Sequence, residues 1–119
     1  MPEFIYNNKV YYHPAEFAID RIGGTWKMSI LWRLKDNTMR YSELKKSIQR
    51  ITDKMLASQL RELEADGFIK RKVYPSVPPK VEYTITRRGK KAIEIIHDLR
   101  TYGLSLMKDY KIVHKKLQK

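Results

Sequence analysis

The chain contains no cysteine, and its 119 residues include only three histidines and five glycines. Without thiols, disulfides, cysteine nucleophiles and thiol redox sensing are excluded, and a reducing compartment is the expected address. No stretch reaches the roughly 18 consecutive apolar residues that a membrane helix requires. The opening residues Met1-Pro2-Glu3-Phe4 lack a basic segment followed by an apolar core, so no secretory leader is expected. His13, His97 and His114 stand far apart, and no H-E-x-x-H, G-x-S-x-G or phosphate-loop pattern occurs. Glu62 and Glu64 fall on different faces of any helix that carries them, which removes the carboxylate dyad of a hydrolase. Catalysis, a metal and a cofactor are therefore not expected.

Acid is scarce as well: 13 acidic residues face 25 basic ones, a formal net charge of +12. Such an excess attracts polyanions beyond contact distance and points to nucleic acid or an anionic membrane surface. Its placement is uneven. Residues 40–85 hold ten cations and six acids, and residues 86–119 ten cations and three acids. A solubilising surface accounts for the charge equally well, so charge alone does not choose a partner.

What is present reads as one folded unit over residues 1–119, with 42% hydrophobic and 32% charged residues. Residues 1–13 are rich in Tyr and Asn without helical periodicity, which predicts an extended N-terminal arm. Pro14 suits the first position of a helix, because its missing N–H is not needed there. That helix places Phe17, Ala18 and Ile22 on one side and stops at Gly23-Gly24. Thr25 is expected to cap a second helix through Trp26, Met28, Ile30, Leu31 and Leu34, apolar on most sides and central to the core.

Met39-Arg40-Tyr41 predicts a short strand, followed by a short helix capped by Ser42 and ending near Ser47. The clearest helix is Thr52–Asp66. Thr52 is a good N-cap, Asp53 suits the positive end of the dipole, and Gly67 supplies a left-handed residue past the end. Leu56, Leu60 and Leu63 follow the i, i+4, i+7 rule. Two strands follow, 68–74 and 80–85, with Ile69, Val73, Val81, Tyr83 and Ile85 on packed faces. Pro75-Ser76-Val77-Pro78-Pro79 makes a stiff tip between them. Thr86 caps a final long helix, 86–119, in which Ala92, Ile96, Leu99, Gly103, Leu106, Tyr110, Val113 and Leu117 alternate in steps of four and three. The expected class is α+β, mostly α, with a winged helix-turn-helix over 40–85 and a C-terminal helix for dimerisation.

Two short helices joined by a tight turn let the second enter the major groove of DNA, and a hairpin directly after it forms a wing. With the leucine stripe turned inward, Lys54, Ser58 and Arg61 face outward and Gln59 lies on a flank. Lys and Arg neutralise phosphates or read guanine, and Gln pairs with adenine. Thr52, beside free backbone amides, suits a phosphate. Glu62, Glu64 and Asp66 would repel DNA, which points the N-terminal half of the helix at the bases. Arg40, Tyr41 and Ser42, and Arg71 and Lys80 on the wing, are candidate backbone contacts. On the last helix, Ile96, Leu99, Gly103, Leu106, Tyr110 and Val113 form a candidate dimer seam, since paired reading helices match a palindromic operator. The competing expectation is a basic helical interaction module without sequence-specific DNA binding.

These stretches together resemble the HxlR-type transcriptional regulators, winged-helix proteins related to the MarR group. The resemblance rests on Ile22-Gly23-Gly24-Thr25-Trp26-Lys27, Arg40-Tyr41-Ser42-Glu43-Leu44, Ile51–Leu56, Leu60–Ile69, Val73-Tyr74-Pro75, Val77–Tyr83 and Ile85-Thr86 with Gly89. It covers roughly residues 13–105. It implies a cytoplasmic prokaryotic DNA-binding homodimer whose N- and C-terminal helices build the interface, with the reading helix at 52–66 and the wing at 74–80. A small-molecule effector is compatible with it but not identified by it. One departure is chemical: many relatives have a cysteine before the first-helix proline, and this chain has His13 before Pro14.

Overall fold

The computed structural model describes residues 3–113. Its elements run β1 (Phe4–Tyr6), β2 (Lys9–Tyr11), α1 (Pro14–Ile22), α2 (Thr25–Leu34), β3 (Met39–Arg40), α3 (Tyr41–Ser47), α4 (Asp53–Ala65), β4 (Ile69–Tyr74), β5 (Lys80–Ile85) and α5 (Arg87–Asp109). The architecture is α+β and mostly α, as the periodicities predict. One antiparallel sheet has the order β3-β5-β4, so the short strand before α3 pairs with the returning strand of the hairpin. This pairing anchors the start of α3 beside the base of the hairpin.

The expected arm is instead a second hairpin. Asn7 and Asn8 both take left-handed φ, +50° and +62°, and Tyr6 pairs with Lys9 across them. A two-residue loop with two positive φ values matches the right-handed twist of the flanking strands, and Asn tolerates that conformation. The hairpin lies on α1 through rings. Phe4 stacks on Tyr11 at 5.2 Å, and Phe17 meets Phe4, Tyr6 and Tyr11 edge-on at 5.3–5.7 Å between centroids. Tyr11 is fully buried, and its hydroxyl donates to Asp20 Oδ2 at 2.6 Å, where the Lys9 ammonium also docks. Hydrogen bonds from Lys9 first, then from Tyr11, hold the Asp20 carboxyl below the ordinary carboxylate range.

Helix ends explain most of the remaining differences from expectation. His13 is the N-cap of α1, its Nδ1 accepting from the Ala15 amide at 3.2 Å. Gly24, at φ +95°, precedes α2 in the N-cap position, so Thr25 is the first helical residue rather than the cap. Arg40 holds the equivalent place before α3, and its amide is met by Glu43 Oε1 at 2.8 Å, which displaces Ser42 into the helix. The final helix stops at Asp109, short of the expected run to residue 119. Lys111 adopts φ +58°, the Ile112 amide returns to Met107 O and the Lys111 amide to Lys108 O. That is a Schellman closure built on lysine instead of glycine. Tyr110 and Val113 therefore follow the helix, and His114 and Leu117 lie outside the described residues.

The core gathers around α2. Ile30, Leu31 and Leu34 meet Leu44 and Ile48, Leu56, Leu60 and Leu63 of α4, and Ile69, Tyr83 and Ile85 of the sheet. Ile96 also belongs to this core at 6% exposure, so it cannot serve the seam expected of it. Val73 was expected on a packed face but is half exposed, because β4 leaves the core beyond its first residue. Gly89 sits where α5 crosses the sheet. A Cβ there would fall within contact distance of the Phe68 carbonyl oxygen and 2.5 Å from Ile85 Cγ1.

Gly89→Ala is expected to destabilise the fold by about 1–3 kcal/mol through overpacking, measured by chemical denaturation. Because Asp20 has a lowered folded pKa, its contribution is present above the unfolded value near pH ~4 and is lost as pH falls through the folded one. Asp20→Asn should flatten the acid limb of the melting-temperature profile and lower the melting temperature at neutral pH. An unchanged acid limb would show that the hairpin contributes nothing through this carboxylate.

Candidate nucleic-acid interface

Helices α3 and α4, joined through Ile48–Thr52, form the helix-turn-helix, and β4 and β5 form the wing. Arg50 lies in that turn, exposed and at φ +66°. Thr52 caps α4, its Oγ1 accepting from the Met55 amide at 3.1 Å, a contact worth about 1 kcal/mol. At the other end Gly67, at φ +82°, closes a second Schellman motif, with the Phe68 amide returning to Leu63 O at 2.9 Å and the Gly67 amide to Glu64 O at 3.0 Å. Both ends of α4 are thus fixed by local bonds, and its buried leucine stripe fixes its rotation.

Two side chains hold α3 in place beside α4. The Tyr41 hydroxyl donates to Asp53 Oδ1 at 3.0 Å, tying the starts of the two helices together. Burial, then the bond to Asp53, raise the Tyr41 pKa, so the phenol stays protonated as a donor. From α2, Arg33 reaches the Ser47 carbonyl with Nε at 3.2 Å and Nη2 at 3.0 Å, and so satisfies the C-terminal end of α3.

The structure sorts the residues expected at the interface into free and engaged groups. Lys54 and Arg61 are exposed on the outward ridge of α4 and have no ion-pair partner among the described residues. Ser58, between them, is partly covered and lies 3.5 Å from Glu62 Oε2, and Gln59 is on the flank. Arg40 and Ser42 are exposed, and with Tyr41 they line one wall of a cleft of about 650 Å³. The wing segment Ser76–Val81 forms the other wall, and Val77 at its tip is fully exposed. Two wing cations are engaged within the protein. Arg71 Nε lies 3.4 Å from Glu64 Oε1, and Lys80 lies 3.6 Å from Glu82 and 4.2 Å over the Tyr74 ring.

Sequence reasoning passed over two features here. Arg50 gave little warning, since a left-handed turn residue is usually glycine or asparagine. Lys27 gave none at all: it follows a tryptophan in an apolar helix, yet it is 7% exposed and pairs with Glu62 on α4 at 2.8 Å.

A helix-turn-helix followed by a proline-tipped hairpin, with a cationic ridge on its second helix, defines a winged-helix transcriptional regulator. The model of the HxlR-like helix-turn-helix family matches residues 21–111, and the chain belongs to that family. It is 47% identical over 93 residues to an HTH-type transcriptional regulator of Methanothermobacter thermautotrophicus, covering 78% of this chain and 71% of that protein. It is also 47% identical over 95 residues to the HTH-type transcriptional regulator YtcD of Bacillus subtilis, covering 80% and 75%. Among solved structures it resembles the redox regulator HypR in its reduced form, with a TM-score of 0.78 and 40% identity over 85% of this chain and 100% of that one. These relatives are regulators, and the protein is a regulator and not an enzyme. HypR is described by its redox response; this chain has no cysteine with which to make a thiol one.

Proposed function

We propose that the protein binds double-stranded DNA sequence-specifically as a homodimer, with α4 in the major groove and the wing loop 75–79 on the backbone or minor groove. The observation that carries this reading is the outward ridge of α4. Its leucine stripe and its two caps hold the helix rigidly, and Lys54 and Arg61 remain free to meet phosphate oxygens or the O6 and N7 of guanine. Thr52 stands at the dipole's positive end, where a phosphate is favoured. Arg40 and Ser42 supply contacts from the start of α3, and the cleft between α3 and the wing admits the backbone. Working on DNA, the protein resides in the cytoplasm.

The dimer reading narrows to residues that the fold leaves uncovered. Leu99 and Tyr102 on α5 and Ile19 on α1 are exposed, and nothing lies within 4 Å of a Cβ placed at Gly103. Leu99 and Gly103, with the partly covered Leu106, then form the seam without Ile96. Two copies joined there carry a pair of reading helices, which read half-sites about one DNA turn apart, roughly 34 Å.

Lys54→Ala and Arg61→Ala should each weaken binding to a duplex selected by the wild-type chain from a random pool. The plot of log K against log salt should flatten by about one unit for each phosphate contact removed. Their melting temperatures should be unchanged; a parallel loss of folding would mean that these side chains face the core. Sedimentation should give a dimer at micromolar concentration, and Leu99→Glu a monomer with lower duplex affinity. A wild-type monomer would overturn the dimer reading.

A further inference from the structure

The C-terminal half of α4 carries three carboxylates, at Glu62, Glu64 and the C-cap Asp66. They are unfavourable twice over, since the negative end of the helix dipole and DNA phosphates both repel them. Each nonetheless meets a cation from a different element. Lys27 of α2 reaches Glu62 Oε1 at 2.8 Å, Arg71 of β4 reaches Glu64 Oε1 at 3.4 Å, and Arg21 of α1 approaches Asp66 Oδ2 at 3.9 Å. Arg88 of α5 adds a hydrogen bond to the Asp66 carbonyl at 2.6 Å.

The three pairs are unequal. Arg71 and Glu64 are both substantially exposed, and such pairs contribute little to stability. Lys27 differs because its side chain is 8% exposed, while the Glu62 side chain is 53% exposed. A buried ammonium gives up most of its hydration, and an apolar residue of similar volume would often serve a core equally well. A lysine here therefore needs a reason other than packing. Glu62 supplies one. Its second oxygen lies 3.5 Å from Ser58 Oγ, on the same ridge as Lys54 and Arg61. Ser58 is one turn of helix from the carboxylate, and Arg61 is its immediate neighbour in the chain.

We infer that Lys27 is a positioning residue for DNA reading: from beneath the helix it neutralises Glu62 and holds it at the edge of the ridge, leaving Lys54 and Arg61 to face the duplex. Arg71 does the same for Glu64 on the opposite flank. The two cations act on DNA affinity through the carboxylates they cancel, without touching DNA. This inference rests on α4 being the reading helix.

The test compares the wild-type chain, Lys27→Met, Glu62→Gln and the double variant Lys27→Met/Glu62→Gln. Binding is measured by fluorescence anisotropy on a duplex selected by the wild-type chain from a random pool. Melting temperatures are recorded in parallel, and binding is measured well below the lowest of them. Both single variants should melt lower, because each leaves a partner unpaired. Only Lys27→Met should bind DNA more weakly, by about tenfold, and Glu62→Gln should bind at least as well as wild type. The double variant should return to within about threefold of wild type, whereas Lys27→Met with Glu94→Gln, the same charge change on α5, should not. Equal losses of affinity in both single variants, or no rescue in the double, would overturn the inference. Should Lys27→Met not fold, Arg71→Met and its rescue by Glu64→Gln decide the matter on an exposed pair; a loss without rescue would make Arg71 a direct contact and overturn the inference. If the wild-type chain selects no duplex, the DNA reading itself has failed. If wild type binds and Lys27→Met matches it, only this inference has.

Discussion

Leu56, Leu60 and Leu63 against Ile30, Leu31 and Leu34 are the contact on which the rest of the molecule depends. Each buried leucine contributes roughly 1.5–3 kcal/mol relative to exposure, so turning α4 about its axis would forfeit several such contributions together. That penalty decides which side chains α4 shows to solvent. Lys54, Ser58 and Arg61 are outward because the leucines are inward, and the caps at Thr52 and Gly67 fix where the helix begins and ends.

A helix held this way brings its acids along with its cations. Glu62 and Glu64 sit on the two flanks of the ridge, beside α2 and β4, and each of those elements places a cation within 4 Å. The fold thereby makes a mixed-charge helix present an effectively cationic face. The same arrangement accounts for much of the wing. Arg71 is engaged with Glu64, and Lys72 and Lys80 lie over the Tyr74 ring, so the wing's cations build the hairpin as well as lending it charge. The hydroxyl of Tyr74 and the ammonium of Lys80 in turn hold the Glu82 carboxyl below its ordinary range.

At the far side of α1, aromatic packing replaces the free arm that composition suggested. Phe17 gathers Phe4, Tyr6 and Tyr11, and Arg21 lies 5.0 Å from the Tyr6 and Phe17 rings while facing Asp66 at the end of α4. The N-terminal hairpin is therefore joined, through one arginine, to the last turn of α4. The position before Pro14, where many HxlR-type chains have cysteine, is a histidine that caps α1.

Periodicity and punctuation made the main elements legible in sequence. The leucine stripe, Thr52, Gly67, Thr86 and the proline loop mark α4, the wing and the start of α5 within a residue or two, because these signals act between near neighbours in the chain. The outward ridge followed from the same stripe, as did Lys54, Ser58 and Arg61. Local signals failed where an unusual residue took a conformation common for another. Lys111 closes α5 where glycine would be expected, Asn7-Asn8 turns a hairpin, and Gly24 and Arg40 displace Thr25 and Ser42 as caps. Tertiary structure alone decided the rest. It turned Ile96 into the core, left Val73 outside it, set Arg71 on Glu64 and buried Lys27 under Glu62. Spacing along one helix determines which residues share a face. Which of those faces meets water, a neighbour or an opposite charge depends on elements distant in the chain, and only their packing determines it.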